Sequence, residues 1–276
     1  MESIFKKEKQ LTLDHFYKWL MKQKTIKTGI ENLDENLEIN TGCIYSIGSY
    51  TGVGKSTLLQ NICLSMALTN PKDRLMYVTG EETRLMTLLK FTTTLCGDGL
   101  SSYYNDKHSN SLYFIEDYLR SGKSNIPEIE AAKTKLSELI DYKSHRRITL
   151  IDSAQKLDDI LYYLESNSES LPSALFIDSF NNLGGSEHYK IIDELKDFAK
   201  DNDIAIIGTF QLDSNNQFKH IPSIPNIKKI SDVIIKLNKY DTSDEFFSEL
   251  RLSFIRPSGI ESRTDLLWDM RSRKIY

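Results

Sequence analysis

Cysteine is scarce in this sequence: three residues in 276, Cys43, Cys63 and Cys96, far apart and with no CxxC pair. An odd, sparse set argues against a disulfide framework and against a zinc site. Cys43 falls in an apolar strand-like segment and Cys63 in a helical one, so both read as small core residues. Long hydrophobic runs are also missing. None reaches the roughly 18 residues that a membrane-spanning helix needs, so no membrane partner is expected. The first residues, Met1-Glu2-Ser3-Ile4-Phe5-Lys6-Lys7-Glu8-Lys9, are charged and lack the apolar core of a secretory leader, which makes the cytoplasm the expected location. Positive charge is not in surplus either: the formal net charge is −4. A nucleic-acid-binding protein usually carries a basic footprint. Here such a footprint would have to be confined to loops. No internal repeat and no low-complexity tract is present.

What is present is the composition of an ordinary globular protein, 39% hydrophobic and 27% charged. The length is near the upper limit for one hydrophobic core. It fits one large α/β domain, residues 25–276, with an appendage, residues 1–24. In the appendage, Leu13, Phe16, Tyr17, Leu20 and Met21 form one apolar helical stripe. That helix either caps its own domain or docks on a neighbouring subunit.

From residue 25 onward, apolar strands alternate with helical segments. Strands are expected at Gly42–Gly48, Arg74–Thr79, Ile148–Asp152, Ala174–Asp178 and Ile204–Phe210. Helices are expected at Lys55–Leu68, Thr83–Leu95, Glu128–Tyr142, Ala154–Glu165 and Tyr189–Lys200. Buried strands joined by helices predict a mostly parallel central sheet flanked by helices. Three later segments, Val233–Leu237, Leu250–Phe254 and Asp265–Trp268, have no long helices between them. They predict an antiparallel C-terminal extension.

Ser49-Tyr50-Thr51-Gly52-Val53-Gly54-Lys55-Ser56-Thr57 lies between a buried strand and a helix, the context that a P-loop requires. Its glycines let the backbone N–H groups converge on an anion, and the helix N-terminus adds partial positive charge. Lys55 is placed to reach the β- and γ-phosphates of ATP, and the Ser56 hydroxyl to bind Mg²⁺. The strict motif has glycine where this chain has Ser49. Asp178 ends the apolar strand Ala174–Ile177, as the Walker B carboxylate that orients Mg²⁺ does.

Hydrolysis also needs a group that polarises the attacking water. Thr79-Gly80-Glu81-Glu82-Thr83 follows a strand and so falls at the edge where ligands bind. Glu81 is the first candidate for the base and Glu82 the second. An acidic cap on the following helix accounts for the same pair. Gln211, after the strand ending at Phe210, is placed to sense the γ-phosphate.

Taken in order, these segments resemble the RecA-like motor domain of the DnaB family of replicative helicases. Thr28-Gly29-Ile30-Glu31-Asn32-Leu33-Asp34 resembles the family's entry segment. Phe176-Ile177-Asp178-Ser179 matches its Walker B strand, Phe210-Gln211-Leu212 its Ser-Gln-Leu motif, and Ser231-Asp232-Val233-Ile234-Ile235 its Ala-Asp-Val strand. Phe254-Ile255-Arg256-Pro257-Ser258-Gly259 looks like the hairpin that carries an arginine finger. The resemblance implies a RecA-like P-loop fold, a homo-oligomer of hexamer type, and Arg256 reaching into the next subunit's site. It also implies single-stranded DNA as a partner, contacted by the loops 183–188 and 212–230. In the second loop Lys219, Lys228 and Lys229 supply charge and Phe218 a stacking face.

The chain departs from the family in several places. Residues 1–24 stand where the family has a helical collar that meets a replication partner. Phe254 stands where a basic residue is usual, and both DNA loops are short. Tyr77-Val78-Thr79-Gly80-Glu81-Glu82 also resembles the KaiC and RadA branches. An ATP-driven motor on single-stranded DNA is therefore the first expectation. A nucleotide-gated assembly ATPase and a RecA/RadA-like recombination ATPase are the alternatives.

Overall fold

The computed structural model describes residues 21–80, 82–97, 115–116, 118–120, 126–140, 147–152, 156–182, 188–212, 231–244, 246–256, 259 and 261–276. Most of the N-terminal stripe (Leu13, Phe16, Tyr17 and Leu20), Glu81, the loop 183–187 and the basic loop with Phe218, Lys219, Lys228 and Lys229 lie outside the described residues.

A small ribbon opens the domain. Strand β1 (Thr25–Ile26) pairs antiparallel with β2 (Ile39–Asn40), with the short helix α1 (Glu31–Asp34) between them. The Asp34 carboxylate accepts the Thr28 and Gly29 backbone N–H groups at 2.7 and 3.0 Å and the Thr28 hydroxyl at 2.8 Å. Those bonds fold the Thr28–Asp34 segment on itself.

The main elements follow as β3 (Ile44–Ser49), α2 (Lys55–Thr69), β4 (Leu75–Thr79), α3 (Arg84–Cys96), α4 (Pro127–Ile140), β5 (Ile148–Ile151), α5 (Leu157–Ser166), β6 (Ala174–Asp178), α6 (His188–Asn202) and β7 (Ala205–Gln211). Thr83 caps α3, its hydroxyl accepting the Met86 N–H at 3.3 Å. Four further strands close the domain: β8 (Val233–Asp241), β9 (Phe247–Ile255), β10 (Glu261–Asp269) and β11 (Lys274–Ile275).

Among the described residues these strands form one nine-stranded sheet in the order β11-β10-β9-β8-β3-β7-β6-β4-β5. The six strands from β5 to β8 run parallel. The pairs β8–β9, β9–β10 and β10–β11 are antiparallel. The sequence pattern puts Val233–Leu237 at the start of the antiparallel extension, but β8 pairs parallel with β3. Two long helix-free strands look alike in sequence whichever way they run, and only the pairing partner sets direction.

Period-two alternation builds the two faces. Tyr45, Ile47, Tyr77, Phe176 and Ile207 face Leu58, Leu59 and Ile62 of α2, with Phe91 of α3 and Leu136 of α4 on the same side. Ile44, Met76, Val78, Leu175, Ile177 and Phe210 face the other way, onto Leu157, Ile160 and Leu164 of α5 and Leu195 and Ala199 of α6. Helix α2 is buried on nearly all sides, from Thr57 through Leu64. It therefore cannot shift without disturbing the core, and its first turn is a rigid platform. Tyr77 joins the layers, edge-on to Phe91 (centroids 5.6 Å apart) and stacked on Phe176 (6.4 Å).

Among the described residues no helix is long and apolar enough to cross a membrane. Cys43, Cys63 and Cys96 are free thiols. Cys63 is fully buried in α2, and Cys43 sits one residue before β3 rather than inside it.

Candidate nucleotide site

The parallel strands β3, β4, β6 and β7 all point their C-terminal ends to one edge of the sheet, the edge where such folds bind ligands. A cavity of about 290 Å³ opens there. Its floor is the turn between β3 and α2. Gly52 and Gly54 have φ of 80° and 107°, a region open to glycine and costly for other residues. At Gly54 space adds to conformation: a Cβ there would meet the Trp268 ring at 3.1 Å. Ser49 replaces the motif's first glycine without conflict, because it is the last residue of β3, in a strand backbone that any residue adopts. Tyr50 is 38% exposed at the rim, and Val53 packs against the core.

Lys55 Nζ donates to the Ser49 and Tyr50 carbonyls at 3.1 and 2.8 Å, which holds the ammonium across the mouth of the loop. The Ser56 hydroxyl donates to Asp178 Oδ1 at 3.0 Å. Thr209 of β7 donates to the same oxygen at 2.7 Å, and the Tyr77 hydroxyl lies 3.3 Å from Oδ2. A carboxylate only 4% exposed is thus held by three hydroxyls from three strands and helices. Burial, and next the negative Asp178, push the Tyr77 phenol well above its ordinary range, so it stays a donor. The Asp178–Ser179 peptide is cis.

Gln211 is the last residue of β7. Its side-chain amide donates to the Thr51 hydroxyl of the P-loop at 2.5 Å, and its backbone N–H donates to Asn181 Oδ1 at 2.9 Å. Expected from sequence as a γ-phosphate sensor, it does line the cavity. Glu82 lines it too, with its carboxylate ion-paired to Lys90 of α3. Thr79 closes the turn before it, its hydroxyl accepting the Glu82 N–H at 3.2 Å.

Thr51, Gly52, Gly54, Lys55, Ser56, Thr57, Asp178, Glu82 and Gln211 therefore line one cavity, while Ser49, Tyr50 and Val53 belong to the same segment without lining it. Arg256 does not join them. Ile255 pairs with Ile234, which pairs with Ser46, so Arg256 sits near the opposite edge of the sheet, its guanidinium 3.4 Å from the Asn36 carbonyl.

Four cavity residues lie outside the motifs read from the sequence. Thr209 is hidden in an apolar run and Lys90 on a helix. Trp268 of β10 and Arg273 of the turn after it pack against the P-loop and α2. A cross-strand reading of the alternation in β7 would have flagged Thr209. Nothing local flags Trp268 or Arg273, because long-range packing brings them in.

No protein-family model and no curated protein matches the sequence. Solved structures do. The fold is similar to a solved ATPase domain, with a TM-score of 0.67 at 13% identity over 91% of this chain and 90% of that one. It is similar to a DnaB-like replicative helicase solved for its interactions with primase, with a TM-score of 0.68 at 13% identity over 91% of this chain. There the chain spans 61% of the helicase, less than two thirds of its length. It is also similar to the KaiC-like protein PH0186 from the hyperthermophilic archaeon Pyrococcus horikoshii OT3, with a TM-score of 0.57 at 16% identity over 92% of this chain and 98% of that one. At these identities the likeness is one of fold. This is the RecA-like fold, a large mostly parallel α/β sheet flanked by helices, shared with the DnaB-like helicase and the KaiC-like protein.

Proposed function

We propose that this chain is an ATP-hydrolysing motor that acts on single-stranded DNA, in the manner of the DnaB-like ATPase domains whose fold it shares. The observation that carries the reading is the Asp178 carboxylate. It gathers the hydroxyls of Ser56 and Thr209 directly beside the P-loop, with Gln211 bonded to that loop's Thr51.

Ser56 Oγ and Asp178 Oδ1 are hard oxygen donors 3.0 Å apart at the cavity wall. That donor set suits Mg²⁺, which takes few protein oxygens and completes its shell with water and phosphate. When bound, the ion would neutralise charge on the β- and γ-phosphates. The chain's own residues supply the rest. The P-loop N–H groups cradle the phosphates, and Lys55 swings from its carbonyls to the β/γ oxygens. Glu81, or Glu82 if Lys90 releases it, takes a proton from the attacking water. The water oxygen then bonds to the γ-phosphorus as the bond to the β–γ bridging oxygen breaks, giving ADP and phosphate. Gln211, tied to both the P-loop and Asn181, reports that change along β7.

In this reading Arg256, remote from its own chain's cavity, serves the site of an adjacent subunit in a ring of hexamer type. Lys219, Lys228 and Lys229 would hold the DNA backbone while Phe218 stacks on a base. The appendage 1–24 would latch onto a neighbour or onto a replication protein. A second reading draws on the acidic balance and the likeness to a KaiC-like protein. In it ATP drives assembly with a protein partner and DNA is irrelevant.

ATP hydrolysis measured with and without single-stranded DNA, at two salt concentrations, separates the readings. The motor predicts several-fold stimulation that salt removes. Hydrolysis indifferent to DNA would sink the motor and leave the assembly ATPase.

A further inference from the structure

One cation in the cavity has no part in the chemistry above. Arg273 stands in the turn between β10 and β11, where Asp269 accepts the Arg271 N–H at 2.9 Å and the Ser272 hydroxyl at 2.8 Å. Its backbone is left-handed, with φ of 60°, unusual for a residue with a Cβ and evidence that its surroundings fix it. Asn61 of α2 does the fixing. Its amide nitrogen donates to the Arg273 and Thr57 carbonyls, both at 2.8 Å, and its oxygen accepts the Ile275 N–H at 3.0 Å. Thr57 lies one turn before Asn61 on the same face of α2, so the clamp delivers the Arg273 guanidinium to Thr57, with Nη2 2.9 Å from Oγ1.

There, among the described residues, no acidic group pairs with the guanidinium, and its Nε is buried without a hydrogen-bond partner. Burial pushes its pKa below the ordinary range, with Tyr77 pulling the other way, but an arginine keeps its charge. A desolvated, uncompensated cation is costly. A strained backbone and a buried amide clamp holding one at a cavity wall make sense when an anion arrives from the cavity. In the nucleotide-binding reading Lys55 and Ser56 address the β/γ end, which would leave Thr57, the next residue along α2, to the inner phosphate.

We infer that Arg273 contacts the inner phosphate of a bound nucleoside di- or triphosphate, in cis, alongside Thr57. This rests on the nucleotide-binding reading of the cavity. Arg273 would be a binding residue that ADP and ATP share, unlike Gln211, which would respond to the γ-phosphate alone.

The test is equilibrium binding of ATP and of ADP, each with Mg²⁺, to the full chain and to Arg273→Ala, Arg273→Lys and Arg273→Met. Loss of a charge-assisted hydrogen bond to phosphate predicts about a tenfold or greater weakening for Arg273→Ala. ATP and ADP should weaken by the same factor, with Arg273→Lys partly restoring both. Arg273→Met keeps the stem packing, and serves if the alanine variant does not fold. Equal affinities in a folded Arg273→Met variant and the unaltered chain would overturn the contact. A loss confined to ATP would overturn its assignment to the inner phosphate. If the unaltered chain binds neither nucleotide, the reading beneath this inference fails, a result distinct from both.

Discussion

The two edges of the central sheet are built from the same strands and do different work. At the C-terminal edge of β3, β6 and β7 the polar groups face a cavity: Lys55, Ser56, Asp178, Thr209 and Gln211. At the opposite edge the polar groups serve the fold. Asp232 accepts the Ile44 N–H at 2.8 Å, the Gly42 N–H donates to the Ile204 carbonyl at 3.1 Å, and Arg256 leans on the Asn36 carbonyl. Parallel strands explain the division. Every β-to-helix turn falls at one edge, where helix N-termini and N–H groups favour anions, and every helix-to-β return falls at the other. Arg256 is the candidate exception, a functional cation at the structural edge, and it makes sense there only if that edge faces another subunit.

The largest expected effect tests that exception. Arg256→Ala should cut turnover about 10³-fold, the scale of an arginine finger, while ATP binding persists. Doping the variant into unaltered chains should depress activity by more than its fraction. A rate unchanged by Arg256→Ala would return Arg256 to a structural role. Asp178→Asn comes next. It keeps the shape but removes the charge that suits Mg²⁺, and kcat should fall about 10²-fold. A variant as active as the parent would break the assignment of chemistry to the near edge. Gln211→Ala should lower kcat about tenfold with little change in ADP affinity, and an equal loss of ADP binding would make it a general wall residue. The smallest effect belongs to the far edge. Desolvation, with Asp232 nearby, pushes the Cys43 thiol from 9.0 up to about 11. At pH 8 its thiolate is therefore about 100-fold scarcer than that of an unperturbed thiol. Maleimide labelling should be correspondingly slow, and a labelled chain should hydrolyse ATP at the parent rate.

The near edge was largely legible in the sequence because its parts are local. A P-loop is one continuous segment, and Asp178 and Gln211 are the ends of apolar runs whose place at the cavity follows from being strand ends. The strands β3 to β7 and the helices between them fall within a few residues of their expected positions. β1, β2 and β11, two residues each, are too short to show a period. β8, β9 and β10 run to nine residues, longer than their apolar centres, because half-buried or exposed positions interrupt the pattern at their ends. Trp268 and Arg273 were illegible for a different reason: their neighbours at the site, Gly54 and Thr57, lie more than two hundred residues earlier in the chain. Such a contact leaves no local trace.

The most direct test of the account is the rate of Mg²⁺-ATP hydrolysis by the unaltered chain beside Lys55→Ala, with folding of both checked by thermal unfolding. The account predicts measurable turnover in the first and background in the second, since Lys55 alone among the P-loop side chains brings a full positive charge to the phosphates. Equal rates in two folded proteins would contradict it, and would move the search for this chain's activity away from the P-loop edge altogether.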